Sequence, residues 1–388
     1  MICLKELRSV QNKRIRVGVI FGGRSGEHEV SLQSAKSVME ALNPHHYSIV
    51  PIGISKDGVW HVGKHAMKAL EEGHVTTSAL PSGKASYINK SVGGLTPIQS
   101  TKSQDVLPPS LAGEIDVVIP VMHGTFGEDG AIQGLLELLN VAYVGAGVLA
   151  SAVGLDKIVM KQVFGAVGIP QVNYVACTRK ELEQHRDSVI EKIEGNLTYP
   201  VFVKPANLGS SVGISKAKSR ADLDKGLTLA ARYDRKIIVE QGLDVREIEV
   251  AVLGNDVPQV SVAGEIIPSN EFYDYSAKYV GGTSKLIIPA EVTDGQRAEI
   301  EHYAVQAFQA IDCAGLARVD FFIEKSTGKV LVNEINTMPG FTRYSMYPKL
   351  WEASGMSYSA LLDHLIQLAL ERQEERERTV RTFELEED

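Results

Sequence analysis

Gly315-Leu316-Ala317-Arg318-Val319-Asp320-Phe321-Phe322-Ile323 and Val330-Leu331-Val332-Asn333-Glu334-Ile335 are apolar runs of strand length, joined through Lys325-Ser326-Thr327-Gly328, a connection with hairpin turn chemistry. Residues two apart on a strand share a face, so Arg318 and Asp320 point together, as do Glu334 and Asn336 at the end of the second run. A hairpin pairing about Thr327 sets Asp320 opposite Glu334, and the oxygens of Asp320, Glu334 and Asn336 then converge beside an arginine. Hard oxygen donors of this kind suit magnesium held against nucleotide phosphates. The plain alternative is a solvent face of alternating charge. Leu316, Phe321, Phe322, Leu331 and Val332 argue instead for a mostly buried sheet, where unpaired carboxylates are costly unless they bind something.

Around this hairpin the pattern predicts strands at 237–240, 246–253 and 257–263, an irregular aromatic-rich stretch from Asn270 to Pro289, and a helix from about Gln296 to Ile311. A last helix from Ser357 to about Arg376 carries Leu361, Leu362, Leu365, Ile366 and Leu368, and the charge run of 371–388 reads as a solvated tail. Upstream, a helix from Lys157 to Val167 and a strand from Tyr199 to Lys204 ending in a Gly/Ser loop, Ala206 to Gly213, mark a second, smaller domain. Nearer the N-terminus, Ile15 to Phe21 runs into Gly22-Gly23 as a buried parallel strand would, and a helix follows from near Glu29 to about Leu42. Strands at Tyr47 to Ile54 and Ile115 to Val121 and a helix from Gly130 to Leu139 complete an α/β domain with a mostly parallel sheet. Residues 1–14 read as a polar leader and 61–114 as an elaborated surface region. The expected partition is 1–146, 147–239, 240–370 and the tail 371–388.

Composition removes several classes of function. The chain has 388 residues, enough for two or three domains, with 44% hydrophobic and 23% charged content. Its 40 basic and 48 acidic residues give a formal charge of -8 without a basic block, which argues against a nucleic-acid partner. Cys3, Cys177 and Cys313 form no CxxC pairing and read as structural thiols of a reducing compartment. No secretory signal is recognisable, and the apolar stretch Val141 to Leu155 is shorter than a spanning helix needs, so no membrane association and a cytoplasmic location are expected.

Four further motifs carry chemistry. Phe202-Val203-Lys204-Pro205-Ala206-Asn207-Leu208-Gly209-Ser210-Ser211-Val212-Gly213 delivers a lysine and a flexible loop with two hydroxyls, whose backbone N–H groups can approach phosphate oxygens. It is not a Walker loop, since no GxxxxGK[ST] string is present. Gly22-Gly23-Arg24-Ser25-Gly26-Glu27-His28-Glu29 lacks the GxGxxG of a dinucleotide site; Glu27 is either a helix-capping acid or a holder of an ammonium group at the mouth of the sheet. His123-Gly124-Thr125-Phe126-Gly127-Glu128-Asp129-Gly130 likewise follows a strand end, although a lone histidine is more often structural. The aromatic density of Phe272 to Gly282, with Lys278 and Tyr279, suits a lid that excludes water, or a packed loop.

Taken in order, GGRSGEHEVSL, HGTFGEDG, KPANLGSSVG, FYDYSAKY, ARVD and NEINTMPGFT resemble the D-alanine:D-alanine ligases of the ATP-grasp superfamily, from about residue 15 to 370. The resemblance implies an ATP-grasp fold, mixing α/β and α+β, behind a Rossmann-like N-terminal domain. It implies that Lys157, Lys204 and Ser211 meet the phosphates of ATP, that Glu240, Gln241 and Leu243 lie at the adenine and Glu247 at the ribose, and that Asp320, Glu334 and Asn336 bind two magnesium (or manganese) ions. By the same resemblance Glu27 holds the first ammonium and His123 lies near the first D-alanine, while Ser345 and Met346 receive the second carboxylate. Arg318 and the N–H of Gly340 stabilise charge on the reacting carboxyl, Glu27, Ser210 and Tyr279 form a triad closing the lid, and Lys278 reaches the phosphates. The intact Lys278-Tyr279 pair favours the dipeptide over D-alanyl-D-lactate, whereas Gln241, where some members have lysine, and Arg343 before Tyr344 depart from the pattern. A homodimer and a role in peptidoglycan precursor synthesis follow as family expectations. The rival readings are a ligase with D-lactate or D-serine as acceptor, a catalytically inactive ATP-binding module, and a nicotinamide-dependent dehydrogenase, which the missing glycine fingerprint disfavours.

Overall fold

The computed structural model describes residues 14–71, 115–209, 212–267 and 285–381. The expected leader, most of the 61–114 region, Ser210, Ser211, Lys278, Tyr279 and the end of the tail lie outside the described residues.

The first layer holds β1 (Ile15–Gly22), α1 (His28–Ala41), β2 (Tyr47–Ile54), β3 (Trp60–Val62), α2 (Ala66–Glu71), β4 (Val117–Pro120), α3 (Ala131–Leu138) and β5 (Ala142–Tyr143). Its sheet is ordered β3-β2-β1-β4-β5, parallel from β2 to β5, with β3 antiparallel at the edge. Val17, Val19, Ile20 and Phe21 are fully buried. A parallel strand covered on both faces reads as continuous apolar sequence rather than alternation, which is why β1 was legible.

The chain continues through α4 (Val148–Leu155) and α5 (Lys157–Ala166) into β6 (Tyr174–Thr178), α6 (Arg179–Gln184), α7 (Arg186–Asn196), β7 (Val201–Pro205), β8 (Ser215–Ala217), α8 (Arg220–Tyr233) and β9 (Lys236–Gln241). These strands form an antiparallel sheet, β6-β9-β7-β8, with its own apolar core drawn from α6, α7, α8 and the sheet, including Leu182, Ile190, Ile193, Val201, Val203, Leu223, Leu227 and Val239. The third layer contains β10 (Val245–Gly254), β11 (Gln259–Val260), β12 (Gly264–Ile267), β13 (Lys285–Ile287), α9 (Asp294–Ala310), β14 (Gly315–Glu324) and β15 (Val330–Asn336), followed by α10 (Met346–Ala353) and α11 (Tyr358–Glu377). Its order is β13-β12-β10-β14-β15, with β11 beside β10. One continuous core joins this layer to the first, from Val17 and Val117 through Leu253 and Leu316 to Leu361, Leu362 and Leu365.

Three expectations need correction. The strand beginning near Ile237 belongs to the four-stranded sheet, because β9 pairs with β6 and β7. The single strand predicted at 257–263 is divided: the Ser261 hydroxyl accepts the Ala251 N–H at 2.9 Å and donates to the Val262 carbonyl at 2.8 Å, so a side chain takes a ladder position and pairing resumes only at Gly264. The charge run from 371 opens inside the last helix, which ends within one residue of the expected Arg376. α11 continues to Glu377, and Arg372 donates to the carbonyls of Gly145 and of Tyr143, the latter at 3.0 Å, with its guanidinium 4.3 Å from the Tyr143 ring centre. Cys177 and Cys313 are buried and unbridged.

Replacing Arg372 by Ala removes two charge-assisted hydrogen bonds and a cation–π contact, and is expected to destabilise the protein by about 2–3 kcal/mol. The exposed Arg378→Ala should stay within about 0.5 kcal/mol. Urea melts of the two variants check this; equal midpoints would mean that α11 docks through its leucines alone.

Candidate active site

A large cleft, about 1680 Å³ in volume, runs between the two antiparallel sheets and past the C-terminal ends of β1 and β4. Ligands of open α/β sheets gather beyond such strand ends.

On one wall, β10, β14 and β15 are in register so that Glu249, Asp320 and Glu334 lie abreast, and the next row holds Ala251, Arg318 and Asn336. Between Asp320 and Phe321 the register shifts, so that Phe321 pairs with Val332 and Asn333 is the extra residue of a bulge that re-aims the end of β15. Like charges opposite one another repel and need cations. Arg318 supplies one: its Nε and Nη2 each donate to an Asp320 oxygen at 2.7 Å, and Nε lies 2.9 Å from Glu249 Oε2. Asn336 Nδ2 donates to Asp320 Oδ2 at 3.0 Å. Lys157, at the start of α5, places its ammonium 3.6 Å from Glu334 and donates to the Leu208 carbonyl at 3.0 Å.

Two lysines meet Glu240 on β9. Lys204 Nζ is 2.5 Å from Oε2 and Lys161 Nζ 3.1 Å from Oε1 of the same buried carboxylate. Burial disfavours the charged carboxylate, but the two ammonium groups outweigh it and hold Glu240 at about 2. Gln241, Leu243 and Glu247 line the cleft as well. The Gln241 carboxamide is engaged with Thr198, accepting its N–H at 2.9 Å and donating to its carbonyl at 2.7 Å.

At the first sheet, Glu27 stands at the N-cap of α1 yet makes no side-chain cap hydrogen bond. Its carboxylate lies instead against the glycines of two loops: a Cβ at Gly124 would come within 2.6 Å of Oε2, and one at Gly209 within 3.1 Å. Of the two readings open in the sequence, the geometry fits an acid turned to the cleft. Glu128, half-buried beside it, accepts the Gly124 N–H at 2.8 Å, and desolvation together with the Glu27 charge pushes its carboxyl well above the usual range. Both ring nitrogens of His123, which lines the cleft, have partners: Nδ1 contacts the Met338 carbonyl at 3.1 Å and Nε2 the Ser34 hydroxyl at 3.0 Å, so the ring ties the first sheet to the loop after β15. Gly340, Ser345 and Met346 line the cleft further along, with Ser345 Oγ accepting the Thr342 N–H at 3.1 Å.

Every expected site residue within the described chain therefore lines this one cleft. Lys161, Glu249 and Glu128 were not singled out from the sequence. Signals for two of them existed: Lys161 follows Lys157 by one helical turn, and Glu249 shares a strand face with Glu247.

The model for the N-terminal region of D-ala D-ala ligases matches residues 16–146, and that for the C-terminal region matches 163–367. The chain belongs to the D-alanine–D-alanine ligase family. It is 49% identical over 376 residues to the D-alanine–D-alanine ligase of Natranaerobius thermophilus, covering 96% of this chain and 99% of that protein. The Geobacillus thermodenitrificans D-alanine–D-alanine ligase is 50% identical, covering 96% and 100%. Among solved structures, the Coxiella burnetii D-alanine-D-alanine ligase is similar at 38% identity and a TM-score of 0.74, over 94% of this chain and 96% of that one. The VanG D-Ala:D-Ser ligase of Enterococcus faecalis aligns at 34% identity and a TM-score of 0.76, over 92% and 100%. Membership of this family brings with it the ATP-grasp fold, its N-terminal domain, and ATP as co-substrate.

Burial lowers the pKa of His123 below its ordinary 6.5 against the opposing pull of Glu27, so the folded state resists protonating it. The stability this contributes is complete above pH 6.5 and is lost as the pH falls toward the lower folded value. Thermal melts at pH 7.5 and 5.5 should show a drop in melting temperature that His123→Asn reduces; an undiminished drop would assign the acid sensitivity to other groups.

Proposed function

We propose that this chain joins two D-alanine molecules into D-alanyl-D-alanine, converting ATP to ADP and phosphate by way of a D-alanyl phosphate, as a step in making peptidoglycan precursor. The observation that carries the reading is the lining of one cleft by the Arg318–Asp320–Glu334–Asn336 constellation together with Lys157, Lys204 and Glu27.

Glu27 takes the ammonium group of the first D-alanine. The carboxylate of that molecule attacks the γ-phosphorus, ADP leaves, and the deprotonated amine of the second D-alanine attacks the acyl carbon; the tetrahedral intermediate expels phosphate. Lys157 and Lys204 neutralise phosphate charge, and Arg318 with the Gly340 N–H stabilises the oxygen that becomes negative in the tetrahedral intermediate. Ser345 and Met346, at the N-terminus of α10, receive the second carboxylate, where a helix start favours an anion.

Among the described residues no three His, Cys, Asp or Glu side chains gather as a metal cluster; the donors are two carboxylates and one amide. That set fits magnesium, or manganese, when phosphate oxygens and water complete the shell. Bound at Asp320, Glu334 and Asn336, two such ions would neutralise the β- and γ-phosphates. The same reading places the enzyme in the cytoplasm as a homodimer, on the family resemblance; no described helix is long and apolar enough to cross a membrane.

One observation keeps a second acceptor in view: the similar structure of a D-Ala:D-Ser ligase. The D-alanine–D-alanine ligases at about half identity over nearly the whole chain favour D-alanine.

Purified protein with ATP and magnesium should release ADP with D-alanine but not with L-alanine, and the product mass should remain that of the dipeptide under excess D-serine or D-lactate. A mixed product would move the assignment to the other acceptor, and ADP release without dipeptide would overturn it. Arg318→Ala should lower kcat by about 10²–10³ while ATP binding, followed by calorimetry, persists.

A further inference from the structure

We propose that Lys161 is a positioning residue for ATP: a permanently buried counter-ion that keeps the Glu240 carboxylate in place when Lys204 leaves it for the nucleotide phosphates. The inference rests on the reading of Lys204 as a phosphate ligand and adds to it a residue that never touches the nucleotide.

The charge count motivates it. Glu240 is one buried carboxylate contacted by two ammonium groups, at 2.5 and 3.1 Å. Lys204 has Glu334 and Glu247 near it besides Glu240, whereas a cation buried as deeply as Lys161 is costly unless a carboxylate needs it there. The two lysines differ in depth. The Lys204 side chain is 13% exposed and lines the cleft, whereas that of Lys161 is 1% exposed and stands behind Glu240. Its surroundings are fixed: the Tyr174 ring centre is 5.9 Å from Nζ, Tyr174 pairs with Glu240 across β6 and β9, and Gln171 Nε2 donates to the Lys161 carbonyl at 2.7 Å. A polyphosphate entering the cleft reaches Lys204 and has no route to Lys161.

Lys204 cannot serve phosphate and Glu240 at full strength together. Once it turns to the phosphate, a carboxylate with one cation would be left buried and unpaired, and that cost would be charged against ATP affinity. With Lys161 behind it, Glu240 stays neutralised, and the end of β9 that leads into Gln241 and Leu243 keeps its position. Lys157 and Lys161, one helical turn apart on α5, thus divide the work between cleft and interior.

The test is a double-mutant cycle with Glu240. K161M is expected to raise the KM for ATP, and the Kd for ADP by calorimetry, by about tenfold or more. The kcat at saturating ATP and the KM for D-alanine should stay close to the parent values, and K161R should recover most of the loss. In an E240Q background K161M should add little, because the carboxylate it compensates is gone. If K161M lowers only the melting temperature, or weakens ADP equally in both backgrounds, Lys161 is structural and the proposal fails. If K161M does not fold, K161Q takes its place in the same cycle. K204M separates the premise from the inference: unchanged ATP affinity in that variant would refute the phosphate role of Lys204 itself.

Discussion

Three acids abreast on adjacent strands set the terms for the rest of the cleft. The pairing of β10 with β14 runs ten residues without a break, so Glu249 cannot slip away from Asp320, and the hairpin holds Glu334 beside them. A one-residue slip would turn every side chain of the strand to the opposite face and destroy the apolar core beneath, so the register is fixed by packing. The repulsion must be met where it stands. Arg318 meets it across two of the acids and Lys157 approaches the third.

The same rule recurs at Glu240 with its two lysines. On the proposed reading, the lysines that would meet phosphate thus have partners before any substrate arrives, and of the acids that would receive metal Asp320 already faces a guanidinium and Glu334 an ammonium group. Binding of a polyphosphate with its cations is then an exchange of partners, not the creation of charge pairs from solvated ions. An exchange of this kind keeps the interior near neutrality throughout, which matters where the dielectric is low.

The hairpin was legible because two short-range rules agreed there: alternation put Arg318 with Asp320, and the turn at Lys325 to Gly328 fixed Asp320 against Glu334. The bulge at Asn333 was not, since nothing in Val-Leu-Val-Asn-Glu announces an extra residue. Helices α6 to α8 were missed although marks were present: Thr178-x-x-Glu181 closes a capping box at the start of α6, and Leu223, Leu227 and Ala230 form an apolar stripe along α8. Most other candidate residues that line the cleft came from motif recognition, while the spacings that could have marked Lys161 and Glu249 gained meaning only from their distances to Glu240 and Arg318. Buried partners of functional groups leave little trace in one sequence, because their role lies in a contact between segments far apart along the chain.

The separate core of the four-stranded sheet has a mechanical meaning. The parallel sheet and the six-stranded sheet share one apolar interior and are fastened by α11, so they behave as a single block, whereas β6 to β9 with α6 to α8 enclose their own. This four-stranded plate is nevertheless tied to that block through α5, whose Ile158 packs with Ala206 and Ile238 of the four-stranded sheet while its Met160 and Phe164 pack with the six-stranded sheet. Any movement of the plate is therefore carried by α5, whose two apolar contacts tie the walls of the cleft together.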